Sequence, residues 1–586
     1  MPANCRMRSM RQQYDGFWFP RSVRDELLKP ERRFEVLHFR DGTLVPEAGS
    51  DTVTVRYPRM DLDDWQQALE IVHRNRADAQ GALHPERLPR AMAQLQALWA
   101  GSQNAIWRDV LKALETCTGH SAKMLDMALG LLELISVEDL QQATASQLTN
   151  EARAAFASMS GLPGRVRFFT DELMSNLATQ ALWRFKSYRN RSMRSERQPA
   201  SMMLGYAAGN VPGTGLLLTL LGLATAAGAG EKPPVILIRN SRREPIFTAL
   251  ALSAIEMVDP RLLNTTMVTV WDHGDRDLQE SLIAQADLII AAASDETIGE
   301  LGAIVRRVSK RTKRIRFHRH GHKVSFSTIG RACLEVGRQM PDSEIALIDA
   351  VAYLAAIDVA LWNQQGCLSS RVHFVEETGD PGTHSAEDYG RAVVESLREL
   401  NQTMPKANTR RRQIHNLFDR YQAVAASNPL QVLSEYDDDF LVVLDRRDLT
   451  GEQFRELVNG CQGRTVAIVP VTDLMEVPHR YLKHLGRQHL QSMSVAVGDP
   501  DTVETDAELL QYAEALGAMG IASIRTVGRG AFPQLAYSWD GLLPLDLVAS
   551  RQRGYFTSIE FNEPWSQISE TYSLIKQATQ DRTPEQ

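Results

Sequence analysis

Cys367 stands in the run "NQQGCLSS", between an apolar helix-forming stretch ending at Trp362 and a strand-like run beginning at Arg371. A thiol on a turn behind a buried helix is pre-oriented and still reachable. Backbone amides at such a turn can stabilise a thiolate or an oxyanion. That is nucleophilic, covalent chemistry. A small buried hydrophobe is the ordinary fate of a free cysteine. The segment "GYAAGNVPGTG" (205–215) is a second candidate. Its glycines allow close backbone approach, and Asn210 offers an amide donor just before Pro212 stiffens the chain. It is not GxGxxG, so the dinucleotide fingerprint is absent.

Two further groups suit anions. "RNSRR" (239–243) follows the strand "PVILIRN" and could grip a phosphate at a strand's carboxyl end, or be surface charge. In "SDETIG" Ser294 reads as an N-cap, whose helix offers free N–H groups, although an ordinary cap explains the same residues. His318, His320 and His322 alternate in "HRHGHK" and would share one strand face. Arg316, Arg319 and Lys323 crowd them with charge that opposes a cation, so no metal is expected. The basic run Arg184–Arg197 reads as a solvated connection, or as a docking surface.

These groups need a scaffold, and the chain supplies one. Short apolar strands alternate with helices from about 199 to 335, which predicts a parallel sheet with both faces covered. A second α/β unit is predicted over 336–550, carrying the thiol. Before them, 1–60 is mixed and 61–198 shows helical periodicity, packing on the first α/β unit. Residues 551–586 end in a polar tail. The stretch Leu216–Ala229 is too short to span a bilayer and reads as a buried helix, with lining an alkyl slot as an alternative.

A net charge of −7 argues against a nucleic-acid binder. The five cysteines lie far apart with no CxxC, which argues against a disulfide framework or a zinc site. No signal peptide is read at the N-terminus, and a cytoplasmic protein without stable membrane insertion is expected.

The order "GNVPG", "VILIRNSRREPIFTAL", "SDETIG", "NQQGCLSS" resembles the aldehyde dehydrogenase superfamily. "LGYAAGNVPG", "HGHKVSF", "CLSSRVHFVE" and "RTVGRGAFPQLAYSWDGLLPL" resemble more closely the acyl-CoA reductase (LuxC-like) family. The resemblance implies a Rossmann-like cofactor domain, an α/β catalytic domain and a homo-oligomer. It implies Cys367 as nucleophile and Asn210 as the oxyanion amide. Arg239 and Ser241 would lie at the ribose, and Ser294 and Thr297 near the pyrophosphate. Ser241 with Arg242 and Arg243, and no glutamate at that place, leans towards NADP. The substrate implied is an acyl-CoA or acyl-carrier thioester, long-chain in the family. An acyl-protein synthetase or acyl-transferase is the partner implied. Hydrolytic relatives carry a glutamate base in the segment matching "FHRHGHK". Here no carboxylate lies between Arg311 and Ser325, which favours reduction of a thioester over release of acid. An oxidising aldehyde dehydrogenase and a non-catalytic scaffold are the alternatives.

Overall fold

The computed structural model describes residues 13–79, 105–125, 166–168, 200–227, 233–272, 274–341, 343–406, 411–497, 505–530, 540, 557–560, 568–569 and 571–576. Two compact units share the chain. The first comprises Met1–Leu148, Trp183–Gly321 and Leu545–Arg551; the second comprises Thr149–Leu182, His322–Pro544 and Gln552–Gln586.

The first unit holds two sheets. Strands β1 (Gln13–Asp15), β2 (Phe34–Arg40), β3 (Thr43–Val45) and β4 (Val53–Pro58) form a small sheet in the order β1-β4-β2-β3. After them, and after the short strand β5 (Val166–Phe168), come β6 (Met202–Tyr206), β7 (Val235–Arg239), β8 (Thr266–Thr269), β9 (Leu288–Ala292) and β10 (Arg316–His320). The last five make an all-parallel sheet in the order β10-β9-β6-β7-β8. From β8 inwards this is the doubly wound order 3-2-1-4-5, whose switch point lies between β6 and β9. The apolar runs "MMLGY", "VILIR" and "LIIAA" are buried almost throughout, as strands covered on both faces require. The helix Thr214–Ala227 returns the chain from β6 to β7, and its Leu216, Leu218, Leu220, Leu221 and Leu223 are buried.

The second unit is one nine-stranded sheet. Its strands are β11 (Val324–Ile329), β12 (Ser370–Glu376), β13 (Leu430–Val432), β14 (Leu441–Asp445), β15 (Thr465–Val471), β16 (Leu490–Ala496), β17 (Ser523–Thr526), β18 (Thr557–Glu560) and, at one edge, β5. The order is β13-β14-β15-β12-β11-β16-β17-β18-β5, parallel except at β13. Among the described residues one helix, Leu347–Gln364, is long and apolar enough to cross a membrane, and 94% of it is buried. It is a core helix.

Three expectations change. The units part after Gly321, not after residue 335, because β11 pairs with β12 and β16 instead of extending β10. "RIRFHRHGHKVSF" is therefore two strands in two sheets, and His322 leaves the strand face that His318 and His320 share. Val166–Phe168, expected within a helical region, is a strand that pairs with β18 in the second unit's sheet. The basic run 184–197 lies outside the described residues.

Candidate active site

The helix Leu347–Ala360 is buried except at Asp349 and delivers the chain to the thiol. Beyond it Trp362, Asn363 and Gln364 all take left-handed backbone angles, with φ of 56°, 50° and 59°. Non-glycine residues pay of order 1–3 kcal/mol each for such angles, so the surroundings must hold the turn. Gln364 does much of this. Fully enclosed, its side-chain amide donates to the carbonyls of Ser370 (2.8 Å) and Thr465 (2.7 Å), and its Oε1 accepts the Thr465 N–H (2.9 Å). The tight turn closes with the Ser369 N–H on the Gly366 carbonyl.

The turn is also gripped from β11. The Ser325 hydroxyl donates to the Cys367 carbonyl at 2.7 Å, and Ser492 donates to Ser325 at 2.8 Å. The register of β11 slips at Ser325/Phe326 against β12, and between Val324 and Phe326 against β16. Bulges of this kind re-aim side chains beside functional sites. Behind the turn, Asp358 on the helix is completely buried and accepts the Gly528 N–H at 2.9 Å. Gly528 has φ +82°, and a Cβ on Gly530 would fall 2.9 Å from Asp358 Oδ2 and 2.3 Å from Ser494 Oγ. The glycines of "TVGRG" are thus needed to seat that segment against the helix that leads to Cys367.

Of the four cysteines described, Cys117, Cys333 and Cys461 are buried and Cys367 is exposed. Cys367 is accessible, yet protein surrounds enough of its thiol that desolvation pushes the pKa up to about 11, with Asp540 adding to the rise. Lys323, the residue's own backbone N–H and Arg525 pull the other way. Burial, the largest cause in each, drives Cys333 and Cys461 further, to about 12. Cys367 is the most accessible and least suppressed of the four described thiols. It is protonated at neutral pH.

In the first unit the expected ligand groups gather at the carboxyl ends of adjacent strands. The Asn210 loop follows β6, Arg239–Arg243 follows β7 and Ser294 follows β9, so Asn210 and Ser294 flank the switch point. Gly209 packs so closely on the next loop that a Cβ there would lie 2.1 Å from Ser241 Oγ and 3.0 Å from Arg243 Cβ. Buried His120 presents Nε2 to the Asn210 carbonyl at 3.2 Å, which fixes the loop's backbone. Arg239 spends its guanidinium on the Trp271 carbonyl (3.2 and 3.1 Å), over that residue's ring. Arg242 lies 3.8 Å from Asp272. Arg243 is exposed, and its N–H donates to Ser241 Oγ at 3.1 Å. Glu244, the one carboxylate of this stretch, is turned inward, where it accepts the N–H groups of Ile246 and Phe247 at the start of the helix Phe247–Val258. Ser294 is the N-cap of Asp295–Arg311: its hydroxyl accepts the Thr297 N–H and donates to Thr297 Oγ1. Asp295 and Glu296 occupy the first turn of that helix.

The imidazole of His322 has its Nε2 3.4 Å from an Arg371 guanidinium nitrogen, which can only donate. Burial drives His318 down to about 4, with His320 and Arg316 adding to the fall. Sequence reading missed His120, Ser325, Asp358 and Asp540. None carries a local signal, since each works on a residue 42 to 217 positions away.

The family model for acyl-CoA reductase (LuxC) matches residues 108–551. No curated protein matches the chain. Several solved structures are similar. The Delta-pyrroline-5-carboxylate dehydrogenase of Mycobacterium tuberculosis aligns at TM-score 0.55 and 12% identity, over 87% of this chain and 88% of that one. Aldehyde dehydrogenase 21 of Physcomitrella patens aligns at 0.54 and 11%, over 92% and 97%. A putative methylmalonate-semialdehyde dehydrogenase of Sinorhizobium meliloti, complexed with NAD, aligns at 0.53 and 12%, over 91% and 92%. At these identities the likeness establishes the aldehyde dehydrogenase fold.

Proposed function

Because the chain belongs to the acyl-CoA reductase (LuxC) family, we propose that it reduces an acyl thioester, such as a long-chain acyl-CoA, to the aldehyde through an acyl-cysteine on Cys367. The observation that carries this is the placement of the one exposed described thiol on a braced, left-handed turn. In the first step the Cys367 sulfur bonds to the acyl carbon, the carbon–sulfur bond to the carrier breaks, and the thiol proton leaves with the carrier thiolate. In the second step hydride adds to the acyl carbon. The resemblance to the family implies Asn210 as the amide that takes the oxyanion. Its collapse frees the aldehyde and the thiolate.

The donor set after β7 suits a nicotinamide dinucleotide carrying a 2′-phosphate. Ser241, Arg242 and Arg243 offer a hydroxyl and two guanidinium groups, and Glu244 is withdrawn into the core, where it cannot repel a phosphate. A bound NADPH would supply the hydride. Ser294 and Thr297 are assigned to its pyrophosphate, with Arg239 and Ser241 near the ribose.

The test is incubation of the purified protein with a panel of acyl-CoAs and NADPH, with aldehyde trapped as its hydrazone. Aldehyde formed with oxidation of NADPH is expected. Oxidation of NADPH without aldehyde, or no turnover with any acyl thioester, overturns the reading.

A further inference from the structure

The loop after β7 carries Arg239, Arg242 and Arg243, and its own carboxylate, Glu244, is buried. Taken by itself, this loop offers a phosphate nothing to oppose it. The neighbouring strand brings a second carboxylate there. The chain leaving β8 runs beside the loop: the Asn240 N–H donates to the Thr269 carbonyl at 2.9 Å, and Arg239 donates to the Trp271 carbonyl at 3.2 and 3.1 Å. The next residue is Asp272. Its Oδ1 lies 3.8 Å from an Arg242 guanidinium nitrogen and accepts the Gly274 N–H at 3.0 Å. Asp275, three residues on, is spent on the N-cap of the helix Arg276–Gln285, where it accepts the Leu278 N–H.

The Arg242 and Asp272 side chains are 41% and 67% exposed. An ion pair so open to water contributes little to stability. Its place in the fold is what gives it meaning. In doubly wound sheets a dinucleotide lies outside the carboxyl ends of the strands, where an acidic side chain takes a ribose 2′-hydroxyl and an arginine accommodates a 2′-phosphate. Here adjacent strands supply one of each, within reach of one another.

We propose that Asp272 is a specificity-determining residue of the dinucleotide site: its carboxylate accepts the ribose 2′-hydroxyl of NADH and repels the 2′-phosphate of NADPH, while Arg242 binds that phosphate. The pair opens the site to both dinucleotides. Asp272 thus limits the preference for NADPH that the arginines alone would give. This rests on the reading of these strand ends as the cofactor site.

The experiment is titration of NADPH and of NADH into the full chain, without acyl substrate, followed by nicotinamide fluorescence. The two ligands differ only in the 2′-phosphate, so the ratio of their Kd values isolates that group. Asp272→Asn keeps an acceptor for the Gly274 N–H. It should tighten NADPH and loosen NADH, moving the ratio towards NADPH by about tenfold, the scale of one like-charge contact at a part-exposed site. Asp272→Ser should move it in the same direction. Arg242→Gln should move it towards NADH by about tenfold. A ratio that stays at the wild-type value in both Asp272 variants, or moves towards NADH in them, overturns the proposal and leaves the cofactor site in place. A wild-type ratio in Arg242→Gln overturns it equally. Wild-type protein that binds neither dinucleotide overturns the cofactor reading itself, and the proposal with it.

Discussion

The Ser325 hydroxyl holds the backbone carbonyl of Cys367 at 2.7 Å and is itself held by Ser492 at 2.8 Å. Replacing Ser325 with alanine strands the Ser492 hydroxyl and releases one side of the Cys367 turn. The expected cost is about 1–3 kcal/mol of stability and several-fold slower acyl loading of Cys367. Urea unfolding and rapid-quench mass spectrometry measure the two. Wild-type loading in a destabilised variant would show that the hydroxyl serves folding alone.

Gly209 and Ser241 join the loops after β6 and β7. A methyl group at residue 209 has no room, with Ser241 Oγ at 2.1 Å and Ser241 Cβ at 2.6 Å. Gly209→Ala should therefore raise the KM for NADPH by about tenfold or more, in line with the cost of overpacking. Adding Ser241→Gly should recover part of the loss. Failure of the second change to restore any affinity would mean that the loops do not communicate through this contact.

Burial pushes Glu244 up to about 8. The unfolded chain's carboxyl titrates near about 4.3, so between the two values the folded chain binds the extra proton. The stability this group contributes is complete below the lower value and is lost as pH rises through the higher one. Glu244→Gln should leave stability at about pH 5 little changed and make the protein more stable than wild type at about pH 9. Parallel curves of urea midpoint against pH for the two proteins would contradict this.

Hydrolysis of an acyl-Cys367 needs a base, worth typically about 10²–10⁴-fold. His322 is a poor one, because its Nε2 is engaged by Arg371. With aldehyde and NADP but no CoA, release of free acid should be slow, and adding CoA should restore turnover as acyl-CoA. Rapid acid release without CoA would make the enzyme an ordinary aldehyde dehydrogenase. Asp540→Asn in the same assay would then show whether that carboxylate is the base.

The first unit's parallel sheet was legible because "MMLGY", "VILIR" and "LIIAA" are short apolar runs separated by helix-length segments. The break at Gly321 was not, because residues on both sides form strands and only pairing partners decide which sheet each joins. The exposed turn that carries Cys367 was legible from its setting. The left-handed run before it was not, since Trp362 and Gln364 are residues that seldom take such angles and the force holding them, Thr465 on Gln364, comes from 101 positions away. His120 and Asp540 were invisible for the same reason: their roles arise only from tertiary packing.

The most direct measurement is intact-protein and peptide mass spectrometry after mixing the protein with an acyl-CoA, before and after NADPH is added. The account predicts one acyl group on Cys367, its loss on adding NADPH with release of an equal amount of aldehyde, and no adduct on Cys367→Ala. An acyl group that settles on Cys333 or Cys461, persists in Cys367→Ala, or stays in place when NADPH is supplied would contradict it.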